Sequence, residues 1–345
     1  MNSGDAKAAG NGPSTTAKLD PGGTPTRRRW RRAVLWFGGG LLLIVGLAAL
    51  GLLAYVQLFP ERVARGTIES WRKNAGLVRK ELELPSGLRY AYLEGGTGEP
   101  LLLLHGFGAD KDNFDPAAFF LVPHYRVIVP DHIGFGESSR PDEADYSPPA
   151  QAERLHAFVQ ALNLSRVHLG GNSMGGQIAM AYAVAHSNEV QSLWLLDPAG
   201  VWTAPKSEVL SEIAEGRRNP MLVKTEQEFL HLFQLVVSKP PFVPGPVLRV
   251  LAQVRIRNFD LEEKIFPQIT GYSVEDKVAG LAVPTLIVWG EEDRALHRGG
   301  AEILHRLLPR SEVILMPGIG HLPMLEAPQR SAEDYLRFRS QWSRI

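Results

Sequence analysis

Gly171-Asn172-Ser173-Met174-Gly175 reads G-x-S-x-G near the middle of this 345-residue chain. An apolar run, 167–170, precedes the motif and a helix-forming run, 176–183, follows it. The pattern predicts a strand, a sharp turn and a helix, with the serine at the apex of the turn. Small residues at both ends of the motif would let the strand and the helix approach closely. We therefore expect the turn to expose the Ser173 hydroxyl as a nucleophile.

The motif alone has low specificity, because glycine-rich strand–helix turns are common and a serine in one is often only a helix cap. A catalytic serine needs a base, and the base needs an acid that orients it. His321 follows the strand-like run 313–316, and Asp293 follows the apolar run 285–289. Ligands of open α/β sheets bind at the carboxyl ends of the strands. The order Ser173, Asp293, His321 therefore predicts a catalytic triad.

Other side chains compete for these roles. Glu291 and Glu292 adjoin Asp293, and Asp197 ends the strand-like run 193–196. Each could supply the acid, or only cap a helix. A loop histidine can likewise serve only in backbone hydrogen bonding, and the chain has 10 histidines. Because the three predicted triad residues each follow a strand-like run in the expected order, we favour a catalytic role for them.

The loop after the buried-strand pattern at 101–104 supplies the fourth part of the predicted site. Cleavage of an ester forms an oxyanion, which needs two backbone N–H donors. Met174, directly after the nucleophile, is one predicted donor, and Phe107 in His105-Gly106-Phe107-Gly108 is the other. The flanking glycines leave this backbone free to turn inward. His105 is predicted to be structural.

Composition excludes several classes of function. Cysteine is absent, which excludes disulfides, thiol catalysis and cysteine-ligated metals. No His, Asp or Glu cluster in the sequence has metal-ligand spacing, so neither a metal nor any other cofactor is predicted. The formal net charge of +0 gives no indication of nucleic-acid binding.

The N-terminus is basic although the whole chain is neutral. Residues 1–32 carry seven Lys or Arg against two Asp, which leaves 30 basic and 35 acidic residues for the remainder. We predict a disordered basic tail over 1–32. The uncharged run 33–59 follows, and since about 20 apolar residues span a bilayer, it predicts one transmembrane helix. Trp36 and Tyr55 lie near its ends, as interfacial aromatic residues do, and the run is too long for a signal peptide.

Flanking charges predict the orientation of this helix. The dense block of arginines at 27–32 favours a cytoplasmic N-terminus, which would put the catalytic domain outside the cytoplasm, in the periplasm of a bacterium. The totals on the two sides nearly tie, because Arg62, Arg65, Arg72, Lys73 and Arg79 follow the helix.

Residues 60–76 show helical periodicity. Ala64, Ile68, Trp71 and Ala75 fall on one face, and charged residues surround them. The pattern predicts a juxtamembrane helix that either lies in the membrane interface or is an ordinary linker.

Strand-like and helix-like runs alternate in the rest of the chain, which predicts an α/β fold with a mostly parallel eight-stranded sheet flanked by helices. We assign its core to 77–200 and 280–345. The alternation stops over 201–279, where long apolar helical stretches predict an inserted lid. The predicted strands are 78–84, 88–94, 101–104, 126–130, 167–170, 190–196, 285–289 and 312–316, and the main predicted helices are 150–162, 206–215, 226–237, 300–308 and 328–342.

The chain resembles the membrane-anchored monoacylglycerol lipases of the α/β-hydrolase superfamily, and related bacterial lipases and esterases, over about residues 40–340. The resemblance rests on residues 105–112, 171–177, 197–200, 289–293 and 320–321, and on the stretch Val254-Arg255-Ile256-Arg257-Asn258-Phe259 of the predicted lid. The resemblance implies a nucleophile, acid and base at Ser173, Asp293 and His321. The basic N-terminus is longer than the family leads us to expect.

These observations together predict a membrane-anchored serine hydrolase that cleaves carboxylic esters of lipid-like substrates, with monoacylglycerols favoured. Two alternatives remain open at this point. One is a carbon–carbon bond hydrolase of meta-cleavage products, which shares the triad order but is usually soluble. The other is a non-catalytic membrane scaffold, which would usually have lost a triad residue. Chain length preference and oligomeric state are not predicted.

Overall fold

The computed structural model describes residues 26–240 and 243–342. The chain forms two compact units, Met1–Tyr55 and Val56–Ile345. Most of the predicted disordered tail lies outside the described residues. Within the described residues the first helix, α1, runs over Thr26–Leu58 and includes both the apolar run and the arginine block before it.

Helix α1 has the length and composition of a membrane-spanning helix. Its segment Trp30–Leu58 comprises 29 residues with a mean hydropathy of 2.4, and no part of it is buried within the protein. Among the described residues it is the one helix that meets these criteria. At about 1.5 Å per residue it is long enough to cross the ~30 Å hydrocarbon core of a bilayer.

An eight-stranded sheet forms the centre of the second unit, with the strand order β1-β2-β4-β3-β5-β6-β7-β8. Strand β2 pairs antiparallel with β1 and β4, and the other neighbours are parallel. The predicted fold class is confirmed. The strands are β1 Val78–Glu83, β2 Arg89–Gly95, β3 Pro100–Leu104, β4 Arg126–Pro130, β5 Val167–Asn172, β6 Val190–Leu196, β7 Thr285–Gly290 and β8 Ser311–Met316.

Helices cover both faces of this sheet, and the two faces carry separate apolar clusters. On one face the Trp194 ring of β6 stacks on Tyr335 at 4.9 Å between centroids. The remaining α-helices are α2 Pro60–Asn74, α3 Asp115–Leu121, α4 Pro148–Ala161, α5 Met174–Ala185, α6 Glu208–Ala214, α7 Glu226–Val236, α8 Gly245–Thr270, α9 Glu275–Val278, α10 Gly299–Leu307, α11 Pro323–Glu326 and α12 Pro328–Trp342, with short 3₁₀ turns at Lys111–Phe114 and Ser187–Glu189.

Helix α2 packs against α3 and α8, so part of its predicted apolar face is used within the protein. Ala64 and Ala75 are buried, whereas the Trp71 side chain remains 46% exposed. Arg72 donates hydrogen bonds to both carboxylate oxygens of Asp112, at 2.5 and 2.7 Å. This ion pair ties the helix that follows α1 to the loop after β3.

The described residues of the segment predicted as a lid, 201–279, contain helices α6 to α9. Helices α6 and α7 lie close to their predicted positions, and a Thr225–Glu228 capping box begins α7. The longest helix of this segment, the 26-residue α8, was not predicted as one helix. Pro246 stands in the first turn of α8, where proline is tolerated, and Pro267 lies near its end.

Candidate active site

Ser173 stands at a strained turn between β5 and α5. Its backbone has φ 53° and ψ −119°, which is costly for a residue with a side chain, by about 1–3 kcal/mol. The turn is also tight: a Cβ added at Gly171 would lie 2.4 Å from the Gly175 carbonyl carbon, and one at Gly175 would lie 2.1 Å from the Leu104 oxygen. Only glycine fits these positions, and strained turns that cluster at active sites present a reactive side chain.

Asp293 and His321 lie in contact at the ends of β7 and β8. His321 Nδ1 lies 2.8 Å from Asp293 Oδ2, and as the carboxylate accepts, the ring nitrogen donates. Asp293 Oδ2 also accepts from Trp289 Nε1 at 3.1 Å, and Oδ1 accepts from the N–H groups of Ala295 and Leu296 at 2.8 and 3.0 Å. Four donors therefore fix the carboxylate, which in turn fixes the tautomer and the ring plane of His321.

The other acids considered from the sequence lie elsewhere or play another part. Glu292 accepts a hydrogen bond from Ser238, and Glu291 lies 3.9 Å from Arg298; neither contacts His321. Asp197 is fully buried at the end of β6, and its Oδ1 accepts from the Gly290 N–H at 2.8 Å. Burial, and then the neighbouring Asp293, raise the pKa of the Asp197 carboxyl well above its usual range. Two aspartates thus lie side by side, with only Asp293 bonded to the histidine.

The histidine loop is held by residues that the sequence did not mark. Asn172, next to the nucleophile, donates to the His321 carbonyl at 2.9 Å and to the Leu196 carbonyl at 3.1 Å. The His321 N–H donates to the Val236 carbonyl at the end of α7, at 2.9 Å. Glu326 accepts from the Gly320 N–H at 3.1 Å. The bonds of Asn172 and of the Val236 carbonyl join the serine turn and the end of α7 to the His321 loop across long sequence separations, so no local signal could have identified them.

Ser173 and His321 line the same apolar cavity. Among the described residues no direct hydrogen bond joins the Ser173 hydroxyl to His321; such bonds are often long in an empty site. The lining residues are Phe107, Ser173, Met174, Ala199, Trp202, Val209, Leu210, Met221, Phe266, Ile269, Thr270, Ala295, Leu296 and His321.

The two predicted oxyanion donors lie on this cavity. Met174 is the first residue of α5, a position at which the N–H has no partner within the helix. Phe107 lies on the loop after β3 and is buried. The neighbouring His105 faces away from the cavity: its Nδ1 donates to the Gly106 carbonyl at 2.8 Å, and its Nε2 accepts from the His132 N–H at 3.1 Å. Burial lowers the pKa of His105, consistent with a neutral structural ring.

Two clusters among the described residues have the spacing of metal ligands. One is Asp197, Asp293 and His321, whose hydrogen bonds are given above. The other is His156, His186 and Glu189, remote from the cavity. The two imidazole rings of the second cluster stack with an interplanar angle of 6° and centroids 3.9 Å apart. Parallel rings direct their in-plane lone pairs past each other, so this arrangement does not fit a bound metal.

The sheet order, the serine turn and the acid–histidine pair define the architecture of an α/β hydrolase. A family model described as alpha/beta hydrolase fold matches residues 99–328, and the chain belongs to that family.

Similar proteins indicate which kind of α/β hydrolase this chain is. The chain is 44% identical over 281 residues to Lipase 1 of Psychrobacter immobilis, covering 79% of this chain and 87% of that protein. It is 29% identical to the monoacylglycerol lipase ABHD6 of Homo sapiens, covering 85% and 92%. A solved structure of a bacterial membrane phospholipase A has a TM-score of 0.79 and 38% identity, covering 88% and 98%. The resemblance predicted from the sequence is confirmed, and the family and these relatives support an ester-hydrolysing serine hydrolase.

Proposed function

We propose that this protein is a membrane-anchored serine hydrolase that cleaves acyl esters of lipid-like substrates, with monoacylglycerols as the favoured class. One observation carries the proposal. His321, fixed by its 2.8 Å hydrogen bond to Asp293, lines the same cavity as Ser173, which stands at the apex of a strained strand–helix turn. A nucleophile, a base and an acid that orients the base are the parts that acyl transfer requires.

In the proposed mechanism the Ser173 oxygen attacks the ester carbonyl carbon while His321 Nε2 takes the hydroxyl proton. The imidazolium that forms keeps its Nδ1 proton in the hydrogen bond to Asp293, which stabilises the positive charge. The C–O bond to the alcohol then breaks, and His321 returns the proton to the leaving alcohol. Water attacks the acyl-enzyme by the same steps in reverse order and releases the fatty acid and free Ser173.

The negative charge of each tetrahedral intermediate resides on the former carbonyl oxygen. We assign its stabilisation to the N–H groups of Phe107, on the loop after β3, and Met174, at the start of α5, which both line the cavity. Met174 adds the positive end of the α5 helix dipole. No cofactor is required by this scheme.

The substrate class follows from the cavity and from the relatives. Apart from Ser173, Thr270 and His321 the lining is apolar or aromatic, which suits an acyl chain. Similarity to a monoacylglycerol lipase favours monoacylglycerols. The bacterial membrane phospholipase A favours a second candidate, a phospholipid acyl ester.

The test is a substrate panel on the full-length protein in detergent or lipid nanodiscs, with Ser173→Ala as the matched control. The panel contains monoacylglycerols and p-nitrophenyl esters of increasing chain length, a diacyl phospholipid and a 2-hydroxy-6-oxo dienoate. We expect release of fatty acid from monoacylglycerols to dominate and to vanish in the variant. Far faster turnover of the dienoate would indicate a carbon–carbon bond hydrolase, and no turnover of any substrate would favour the non-catalytic scaffold.

We also propose that α1 anchors the enzyme by a single pass, with the N-terminus in the cytoplasm and the catalytic unit on the extracytoplasmic side. The length and hydropathy of Trp30–Leu58 and the arginines that precede it support this topology. Protease added to intact spheroplasts is expected to digest the catalytic unit. Protection until the cells are lysed would reverse the assigned orientation.

A further inference from the structure

Arg255 on helix α8 is a buried cation that the proposed mechanism does not use. Only 9% of its side chain is exposed. Its Nε and Nη2 donate to one carboxylate oxygen of Glu262, seven residues further along the same helix, at 3.1 and 2.9 Å. Nη2 also donates to the Met221 carbonyl at 2.7 Å. The residue belongs to the stretch 254–259 that the sequence analysis singled out, and nothing so far explains why an arginine stands there.

The guanidinium group lies directly on the loop that contains the proposed oxyanion donor. A Cβ added at Gly108 would lie 2.1 Å from Arg255 Cζ and 2.1 Å from Nη1, so the guanidinium fills the space that a side chain there would take. Gly108 also has φ +66°, which glycine adopts at little cost. On the other side, Arg255 Cζ lies 5.6 Å from the centre of the Phe107 ring, within cation–π distance.

The ion pair itself is a poor explanation for the presence of Arg255. Removing two charges from water costs about as much as their attraction returns, so a buried pair is often no more stabilising than apolar residues of similar volume. Burial raises the pKa of Glu262, which records this cost. What an apolar pair could not supply is a rigid planar group with donors in fixed directions, and that group is placed against Gly108 and Phe107.

We infer that Arg255 is a positioning residue for the oxyanion hole: from helix α8 it holds the loop at Phe107 and Gly108 in the conformation that stabilises the transition state. The inference rests on the proposed function, because it needs Phe107 to be an oxyanion donor. Glu262 and the Met221 carbonyl orient the guanidinium, and the Phe107 ring and Gly108 receive it. The lid and the catalytic loop are thereby coupled, since a displacement of α8 would withdraw the group that supports the loop.

Arg255→Met, which keeps the apolar stem and removes the planar cation, is the central variant. Exposed Arg257, two residues further along the same helix, provides the matched control Arg257→Met. For each variant we measure steady-state kinetics on a p-nitrophenyl ester and the inhibition constant of a trifluoromethyl ketone. Circular dichroism gives the fraction of enzyme that is folded, and kcat is expressed per mole of folded enzyme. That inhibitor forms a tetrahedral adduct on a catalytic serine and so reports on the oxyanion hole in the absence of turnover.

We expect Arg255→Met to lower kcat about 10- to 100-fold, less than full loss of a donor, with KM changed less than about 3-fold and the ketone bound correspondingly weaker. Arg255→Lys should fall between the parent and Arg255→Met, because lysine keeps the charge without the fork. Arg257→Met should match the parent. A folded Arg255→Met enzyme with parental kcat and parental ketone affinity would overturn the inference.

Two further variants keep the test decisive if Arg255→Met does not fold because it leaves Glu262 unpaired. The double variant Arg255→Met/Glu262→Gln removes the buried charge and should show the same kcat loss. Gly108→Ala should be less harmful in an Arg255→Ala background than in the parent, because the clash with the guanidinium is gone. Independent effects of these two substitutions would overturn the contact.

Ser173→Ala distinguishes failure of the proposed function from failure of this inference. If Ser173→Ala retains activity, the proposed function fails. If it is inactive while the Arg255 variants match the parent, only this inference fails.

Discussion

Two buried aspartates, Asp293 and Asp197, lie beside His321, and we predict that the same substitution to asparagine lowers kcat far more at one than at the other. Asp293 accepts four hydrogen bonds, two from backbone N–H groups at one oxygen and two from Trp289 and His321 at the other. An asparagine there has only one oxygen. If that oxygen stays with the backbone donors, the amide NH₂ meets the Nδ1–H of His321, donor against donor. The ring must then shift its proton to Nε2, and a protonated Nε2 cannot accept the proton of Ser173.

We therefore expect Asp293→Asn to lower kcat by about 10³- to 10⁴-fold, as loss of the acid does in serine proteases, which corresponds to about 4–5.5 kcal/mol of transition-state stabilisation. Asp197→Asn should lower kcat less than about 10-fold. Burial and the neighbouring Asp293 raise the pKa of Asp197 and so favour its uncharged form, and an amide keeps the acceptor for the Gly290 N–H at 2.8 Å.

The assay is steady-state hydrolysis of a p-nitrophenyl ester at pH 7 by both purified variants, with melting temperatures to show that each is folded. A loss at Asp197→Asn larger than the loss at Asp293→Asn would refute the assignment of the acid. Equal losses would show that the two carboxyls share one function.

Three more predictions concern the scaffold around the site. Burial, and then the charge of Asp112, raise the pKa of Asp115 to about 8, so the folded state holds a proton that the unfolded state loses above about pH 4. The parent should therefore lose stability relative to Asp115→Asn as pH rises from 4 to 8, by up to about 1.4 kcal/mol per pH unit in chemical denaturation, and parallel curves would contradict the shift. Arg72→Met should lower the free energy of unfolding by about 1–3 kcal/mol, because it removes both hydrogen bonds to the largely buried Asp112 and leaves it only Lys111 Nζ at 3.7 Å; a melting temperature equal to that of the parent would argue against the ion pair. Gly175→Ala should abolish activity and cost at least about 1–3 kcal/mol of stability, because its Cβ would lie 2.1 Å from the Leu104 oxygen, and an active, stable variant would mean that the turn is looser than described.

The sequence predicted the sheet well because each strand carries its own signal. The strands β4 and β6 have the predicted bounds, and the glycine spacing of 171–175 correctly indicated a strand–helix turn. These signals are local, because a few consecutive residues are enough to show an apolar run of strand length or the small residues of a tight turn.

The long helix α8 was missed because two prolines interrupt the pattern. Pro246 lies in the first turn of α8, where its missing N–H costs nothing, and Pro267 lies close to its end, so neither divides the helix. Helix α1 also extends beyond the apolar run 33–59 at its N-terminal end. Arginine is a good helix former, so the charges that end the apolar run do not end α1.

The other features of the site that the sequence did not predict are contacts between distant segments. Asp197 could have been placed beside Asp293 from topology alone, because β6 and β7 are neighbours in the sheet and both aspartates follow the same strand ends. The contact of Arg255 with Gly108 has no such route, because it depends on how an inserted helical segment folds back over the sheet. The stretch 254–259 shows in the sequence which residue types are present but not which residues they contact.

The central claim is that Ser173 forms the covalent acyl-enzyme, and a fluorophosphonate probe followed by peptide mass mapping tests it most directly. The proposed site predicts one adduct per chain, on the peptide that contains Ser173, absent from Ser173→Ala and strongly slowed in His321→Gln. Loss of ester hydrolysis should parallel labelling of the parent enzyme. Labelling at another serine, or full ester hydrolysis by Ser173→Ala, would contradict the account.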